Sequence, residues 1–257
     1  MEPENAVAEP SEITVLFETD AVVVINKPSG LMVHEDGISD EATVVDWLLE
    51  RSPEVRGVGE EGHSPKGQLL ERSGVVHRLD RETSGVLILA KTQDAHQHLK
   101  AQFHDRLAKK EYRAFVYGRM NESWGTIDRP IGRSASDFRK RSAQRGAKGA
   151  LRDALTNWET IGIGEYQGES FSYIRLLPQT GRTHQLRVHM KAVDRPIVGD
   201  ELYAGKRLEQ SNNLELTRLA LHAHMLEIVL PGGEEERLIA PVPITFEIAA
   251  ERIAEGE

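Results

Sequence analysis

The sequence predicts an α+β protein, a single domain around a large, mixed, mostly antiparallel sheet flanked by helices and loops. Three observations predict it. Short β-rich runs recur along the chain, and several are joined by Gly- or Pro-containing turns of hairpin length. Only two or three segments carry helical signals. No internal repeat and no linker divides the body, so the domain is expected over residues 12–250. It lies between an acidic tail at 1–11, expected to be disordered, and an acidic C-terminal tail at 251–257.

Each element has its own warrant. Ile13 to Phe17 and Ala21 to Ile25 are β-rich and separated by Glu18-Thr19-Asp20, so they read as neighbouring strands. Lys27-Pro28-Ser29-Gly30 is a turn. Thr43 is placed to cap a short helix through Leu49, ended by Pro53. Residues 54–74, rich in Gly, Glu and Ser, predict a long exposed loop. Val86 to Leu89 is a short apolar run of the buried-strand type. Thr92 is an N-cap candidate, and Ala95, Leu99, Phe103 and Leu107 form the apolar stripe of a helix over 93–108. Tyr112 to Tyr117, 156–163 and 170–177 predict strands, the last two joined through Gly164 to Gly168. Thr180-Gly181 is a turn, and Thr183 or His184 starts a short helix ending before Pro196. Leu219 to Leu230 predicts a long strand closed by Pro231-Gly232-Gly233.

With 257 residues, 39% hydrophobic and 28% charged, the chain has the composition of a soluble globular protein with a sizeable core. No window approaches the roughly 18 apolar residues of a membrane span, and the acidic N-terminus is not a secretory signal. The absence of cysteine excludes disulfides and thiolate metal sites, and it fits a reducing compartment. A cytoplasmic protein is expected. The formal charge of −9 is unevenly distributed: residues 1–20 carry six acids and no Lys or Arg, and residues 232–257 carry a net −5. Residues 21–231 are left with a net +2. Screening confines each region's field to about 10 Å at moderate salt, so an acidic total does not exclude a nucleic-acid partner.

Four segments concentrate chemistry. In His77-Arg78-Leu79-Asp80-Arg81-Glu82-Thr83-Ser84-Gly85, a carboxylate flanked by arginines stands immediately before a buried strand, where a site can hold one acid in place. For a lone Asp a turn or cap role is the commoner one. In Thr180 to Met190, Arg182, His184, Gln185, Arg187 and His189 crowd together as an anion-facing site requires, although a solvated basic helix has the same composition. Lys109 to Gly118 puts Tyr112 on one strand face with Ala114 and Val116, suited to stacking on a planar base or to ordinary core packing. From Arg129 to Arg152 the chain carries eight basic residues and a single acid, Asp137, which reads as a flexible polyanion-binding loop.

Other chemistries lack their residues. No Walker loop, Gly-x-Gly-x-x-Gly after a strand, Gly-x-Ser-x-Gly or His-Glu-x-x-His occurs. His222 and His224 share a strand face, but no acid falls at a familiar ligand spacing among the histidines, so no metal is expected.

The first block resembles the signature of the RluA-type pseudouridine synthases, His-Arg-Leu-Asp-x-x-Thr-Ser-Gly followed by a strand and Ala-Lys, and His77 to Lys91 matches it throughout. Asn26 to Leu31, Lys110 to Gly118, Thr180 to Met190, Leu219 to Ala223 and Ala240-Pro241 are similar to further family segments, in the family's order. The resemblance implies the pseudouridine synthase fold and isomerisation of uridine to pseudouridine in structured RNA, tRNA or rRNA. It implies that Asp80 is the catalytic carboxylate, that Tyr112 lies against the target base, and that Arg187 pairs with Asp80. Arg78 would enter the RNA where the flipped nucleotide had been. The expected RNA contacts are Arg78, His77, Arg182, Arg139, Lys140 and Arg141. Isomerisation needs no redox agent, metal or energy donor, so no cofactor is expected. Asp80 could serve as nucleophile or as base toward a sugar proton.

Many family members carry a small RNA-binding domain upstream. Here the catalytic segment begins near residue 12, so recognition is expected from the catalytic domain and its loops, in a protein acting as a monomer. Two other classes compete: an RNA-binding or chaperone protein that kept the fold without the activity, and a metal-dependent hydrolase using His184, His222 and His224.

Overall fold

The computed structural model describes residues 12–63, 67, 69–137, 139–144 and 147–256. The tail expected at 1–11, and Arg145 and Gly146 of the basic run, lie outside the described residues. The elements follow in chain order. They begin with β1 (Thr14–Glu18), β2 (Val22–Lys27), α1 (Val44–Arg51), β3 (Gly62–His63), β4 (Leu69–Leu70), β5 (Ser84–Ala90) and α2 (Gln93–His104). Next come β6 (Lys109–Tyr117), β7 (Trp124–Asp128), β8 (Ile131–Arg133), β9 (Arg141–Ser142), β10 (Lys148–Arg152), β11 (Leu155–Tyr166) and β12 (Glu169–Pro178). The last are α3 (Gln185–Ala192), α4 (Arg207–Gln210), β13 (Leu221–Val229), β14 (Glu235–Ile239) and α5 (Ile244–Glu255). The class is α+β, sheet-dominated with few helices, and the β1–β2, β2–β5 and β11–β12 ladders are antiparallel. Among the described residues no helix is long and apolar enough to cross a membrane.

The chain divides into two compact units. The first comprises Pro10–Lys110 and Ala223–Pro241. Its strands run in the order β1-β2-β5-β13, with β14 on β13. Val22 to Ile25 and Val86 to Ala90 are buried without a break, which explains why both strands read as continuous apolar runs rather than alternating ones. Helix α1 starts in a capping box: the Thr43 hydroxyl accepts the Asp46 N–H, and the Asp46 carboxylate accepts the Thr43 N–H. Helix α2 begins at the Thr92 cap as expected but ends at His104, short of the expected 108. Arg106 turns left-handed (φ 62°) and the Leu107 N–H closes onto the Gln102 carbonyl, so Leu107 leaves the apolar stripe and is 64% exposed.

The stretch 54–74, expected as one long exposed loop, is partly tied down. Val55 and Leu70 are buried, β3 pairs with β4, and Gly74 donates to the Val58 carbonyl. Gly85, the second residue of β5, has φ 117°, and a Cβ there would lie 2.1 Å from the Ala223 carbonyl oxygen, so the Ser-Gly of the signature is a close backbone approach.

The second unit comprises Glu111–His222 and Val242–Glu257. Its main strands run β6-β12-β11-β7. The core centres on Phe115, stacked on Tyr173 at 4.5 Å and met edge-on by Phe246 at 5.5 Å. Phe246 belongs to α5, which the sequence reading does not anticipate and which continues through Glu255, inside the stretch expected as a tail. Its buried residues Phe246, Ala249 and Ile253 have helical spacing. The basic run is not simply a loop: β8, β9 and β10 form a separate three-stranded sheet in the order β10-β8-β9. Burial of Ile131 and Ala154, on either side of its charged residues, gives that sheet an inner face.

Candidate active site

In the first unit, Asp80 stands three residues before Thr83, whose N–H closes back onto the Asp80 carbonyl at 3.1 Å. The next carbonyl, that of Arg81, accepts the Gly30 N–H at 2.9 Å and the Lys27 ammonium at 2.9 Å. Lys27 is 0% exposed, and it also donates to the carbonyls of Pro28 and Leu31, each at 2.8 Å. A buried ammonium thus joins the Pro28–Leu31 turn to the segment that carries Asp80. The Ser29 hydroxyl adds a bond to the Glu82 carbonyl at 2.7 Å. From the sequence Lys27 is part of a turn and of the family-like segment Asn26 to Leu31, with no role of its own. The sole signal for its role is a lysine ending an otherwise apolar strand.

Arg78 is exposed on one side, and its Nη1 lies 3.4 Å from His34 Nε2. His34 Nδ1 lies 2.7 Å from the Glu35 carbonyl, which fits a neutral ring donating from Nδ1 and accepting at Nε2. Burial lowers the His34 pKa and favours that neutral form. His77 lies flat on Phe103 at 4.4 Å, and its Nε2 accepts the Ile88 N–H at 3.1 Å. Burial first, and the Lys110 charge second, lower its pKa to about 3. The Lys110 pKa is itself lowered by burial.

In the second unit, Gln185 folds the segment leading into α3. Its Oε1 accepts from the Thr180 hydroxyl and the Arg182 N–H, and its Nε2 donates to the Leu155 carbonyl and the Thr156 hydroxyl. The Thr156 hydroxyl also bonds to His189 Nδ1 at 2.9 Å, and His189 Nε2 lies 3.0 Å from the Arg129 carbonyl. His189 is fully buried and burial lowers its pKa, so the ring is a neutral internal strut. His184 caps α3 in the left-handed conformation (φ 55°).

These fixtures present Arg187. Its Nε donates to Asp200 Oδ2 at 2.8 Å and its Nη2 to Asp200 Oδ1 at 2.7 Å, a two-pronged buried ion pair. The guanidinium lies 5.3 Å from the Tyr203 ring centre. Asp200 and Tyr203 are not among the residues that stand out in the sequence; their only mark is a carboxylate three residues before an aromatic residue. Tyr112 sits on β6 opposite Leu176 and packs, half-buried, against the core of its unit.

Of the basic residues, Arg182 donates to the Asp153 carbonyl, and Arg139 forms two bonds to Asp137. The Asp137 pKa falls to about 2, chiefly through its side-chain bond with Arg139. Lys148 to Arg152 form a wholly exposed strand. The histidines of the metal hypothesis are engaged elsewhere: His222 meets Phe246 edge-on in the core, and His224 bonds to the Ala240 carbonyl. Among the described residues no three His, Asp or Glu side chains converge as metal ligands do.

Residues 21–192 match the family described as RNA pseudouridylate synthase. An uncharacterized RNA pseudouridine synthase of Synechocystis is 37% identical over 247 residues, spanning 95% of this chain and 70% of the relative. The ribosomal large subunit pseudouridine synthase D of Xanthomonas campestris is 39% identical over 240 residues, spanning 90% of this chain and 66% of the relative. Among solved structures, human RNA pseudouridylate synthase domain containing 1 matches with a TM-score of 0.72 and 27% identity, over 91% of this chain and 86% of that chain.

Proposed function

Because the chain belongs to the RNA pseudouridylate synthase family and is an RNA pseudouridine synthase, we propose that Asp80 is its catalytic carboxylate. The reaction replaces the sugar-to-nitrogen bond of a uridine with a sugar-to-carbon bond. Asp80 acts either as nucleophile toward the nucleoside or as base toward a sugar proton. Arg187 orients Asp80. Tyr112 lies against the target base, and Arg78 fills the place of the flipped nucleotide, offsetting part of the lost stacking.

The observation that carries this reading is the anchoring of the Asp80 segment. Bonds from Lys27, Gly30 and Thr83 hold its backbone at and just after the carboxylate. A reaction that detaches a base and re-forms a bond to it needs its acid held still, and sites on rigid elements supply that.

Arg182, Lys140 and Arg141, with Arg139 contributing less because of Asp137, supply sequence-independent contacts to the RNA backbone. His77 serves by holding β5 rather than by touching RNA, since its ring already bonds to Ile88 and stacks on Phe103. Several relatives are named as ribosomal large subunit enzymes, which makes large-subunit ribosomal RNA the first substrate to test and transfer RNA the second. We place the enzyme in the cytoplasm, acting as a monomer without a cofactor.

The test is incubation with uridine-labelled ribosomal and transfer RNA, followed by analysis for pseudouridine. Conversion by the wild type and none by Asp80→Asn supports the assignment. Conversion by both removes Asp80 from the chemistry.

A further inference from the structure

We infer that Tyr203 is a positioning residue that joins the basic three-stranded sheet to the helix carrying Arg187, with its hydroxyl serving the sheet and its ring serving the guanidinium. The inference rests on the proposed roles of Arg187 and of the basic sheet, and it concerns a residue that neither role includes.

Four observations within the second unit support it. The Tyr203 hydroxyl accepts the backbone N–H of Arg141, in β9, at 2.8 Å. The same oxygen lies 2.9 Å from Nδ1 of His184, the residue that opens α3. One hydroxyl therefore bridges the first residue of a basic strand and the start of the catalytic helix. The Tyr203 ring, meanwhile, lies against the Arg187 guanidinium at 5.3 Å and meets the His184 ring edge-on at 5.8 Å. Asp200 completes the arrangement: Oδ1, which accepts from Arg187 Nη2, also accepts the Tyr203 N–H at 3.1 Å and the Leu202 N–H at 3.0 Å. Tyr203 is thus held by the carboxylate that holds Arg187.

A small apolar core explains why this joint is specific. Ile131 of β8, Ala154, Val188 of α3 and Tyr203 form a cluster of their own, with Ala143 and Leu202 packed against it. It is separate from the main core of the unit. The basic sheet is therefore seated on α3 by a few side chains and one hydroxyl. β9 is only two residues long, and β10, at the other edge of the sheet, is exposed throughout. In so small a sheet the Arg141 N–H bond is a large share of what fixes β9. Phosphates drawn to Lys140, Arg141, Lys148 and Arg152 pull on an element whose anchor is the platform of Arg187. RNA binding and guanidinium placement then share one residue.

Two substitutions separate the two functions. Tyr203→Phe removes the hydroxyl and keeps the ring. It is expected to lower kcat/KM about tenfold, entirely through KM, and to speed amide hydrogen exchange at Arg141 about tenfold or more. Tyr203→Leu removes the ring as well and is expected to lower kcat in addition. Tyr203→Phe decides the matter even if the leucine variant folds poorly. The inference is overturned if Tyr203→Phe matches the wild type in Arg141 exchange and KM, or if it loses kcat as Arg187→Ala does. The exchange measurement needs no turnover. A wild type that makes no pseudouridine would therefore defeat the proposed function while leaving the joint to be judged on exchange alone.

Discussion

Arg187 is gripped through two nitrogens by both oxygens of Asp200, thirteen residues further along the chain, with the arginine side chain 6% and the aspartate 0% exposed. Taking two charges out of water is costly, and the pair is sustained by its fork geometry and by the two backbone N–H groups that also reach Asp200. Its value lies in direction: a guanidinium held through Nε and Nη2 has a fixed plane.

The first prediction follows from that grip. Asp200→Ala removes the buried carboxylate that grips the guanidinium through both oxygens and should destabilise the protein by about 3–5 kcal/mol in urea unfolding. Asp200→Asn keeps an acceptor for the backbone N–H groups and should cost less stability while still lowering turnover. Arg187→Ala should harm turnover more than RNA affinity. Equal loss of both would contradict an orienting role for Arg187.

How far the sequence discloses this can be read from particular residues. Strands β2 and β5 are legible because they are buried on both faces and therefore uniformly apolar. The Thr43 and Thr92 caps are legible because capping chemistry is local. Arg187 stands out because basic residues crowd around it. Asp200 and Tyr203 do not, since Arg187, which both engage, is thirteen and sixteen residues away and neither lies in a periodic run. Lys27 is hidden for a related reason: its three carbonyl partners come from two segments that meet only in the fold. The end of α2 is misplaced because one left-handed residue, Arg106, overrides an apolar stripe that looks unbroken. The basic sheet reads as a loop because charge and glycine dominate it, although Ile131 marks its inner face.

Lys27 gives a second prediction. Lys27→Met fills a similar volume and leaves three carbonyls without their charged donor. Hydrogen bonds to charged groups contribute about 1.5–3 kcal/mol each, so a loss of about 3 kcal/mol or more is expected in chemical denaturation. Because Arg81 follows Asp80 directly, turnover of the folded fraction should fall as well. A variant as stable and active as the wild type would show that the ammonium holds nothing.

A third prediction concerns the basic sheet. The charge of Arg139 is already matched by Asp137, whereas Lys140 reaches that carboxylate only at 3.9 Å. Arg139→Ala should therefore weaken RNA binding less than Lys140→Ala or Arg141→Ala. Replacing all three should flatten the dependence of log K on log salt by about 0.7–0.9 for each phosphate that is no longer neutralised. Titrating binding between low and moderate salt checks this, and an unchanged slope would take the sheet out of the interface.

The last prediction is a pH dependence set by His77. Its Nε2 accepts the Ile88 N–H, so only the neutral ring fits, and burial lowers its pKa from 6.5 to about 3. A histidine whose folded pKa lies below its unfolded value binds protons more readily when unfolded. Its contribution is therefore fully present above about pH 6.5 and is lost progressively as pH falls toward 3. Within that window each pH unit removes up to about 1.4 kcal/mol. His34 and His189, also lowered by burial, act in the same direction and steepen the acid limb. His77→Gln offers Ile88 an amide oxygen and does not titrate. It should be less stable than the wild type at pH 8, and the gap should narrow by about 2 kcal/mol by pH 5. Urea unfolding of both proteins across that range measures the gap directly. A constant gap would mean that the ring takes up its proton without disturbing the Ile88 bond, and that His77 is not the neutral strut of β5.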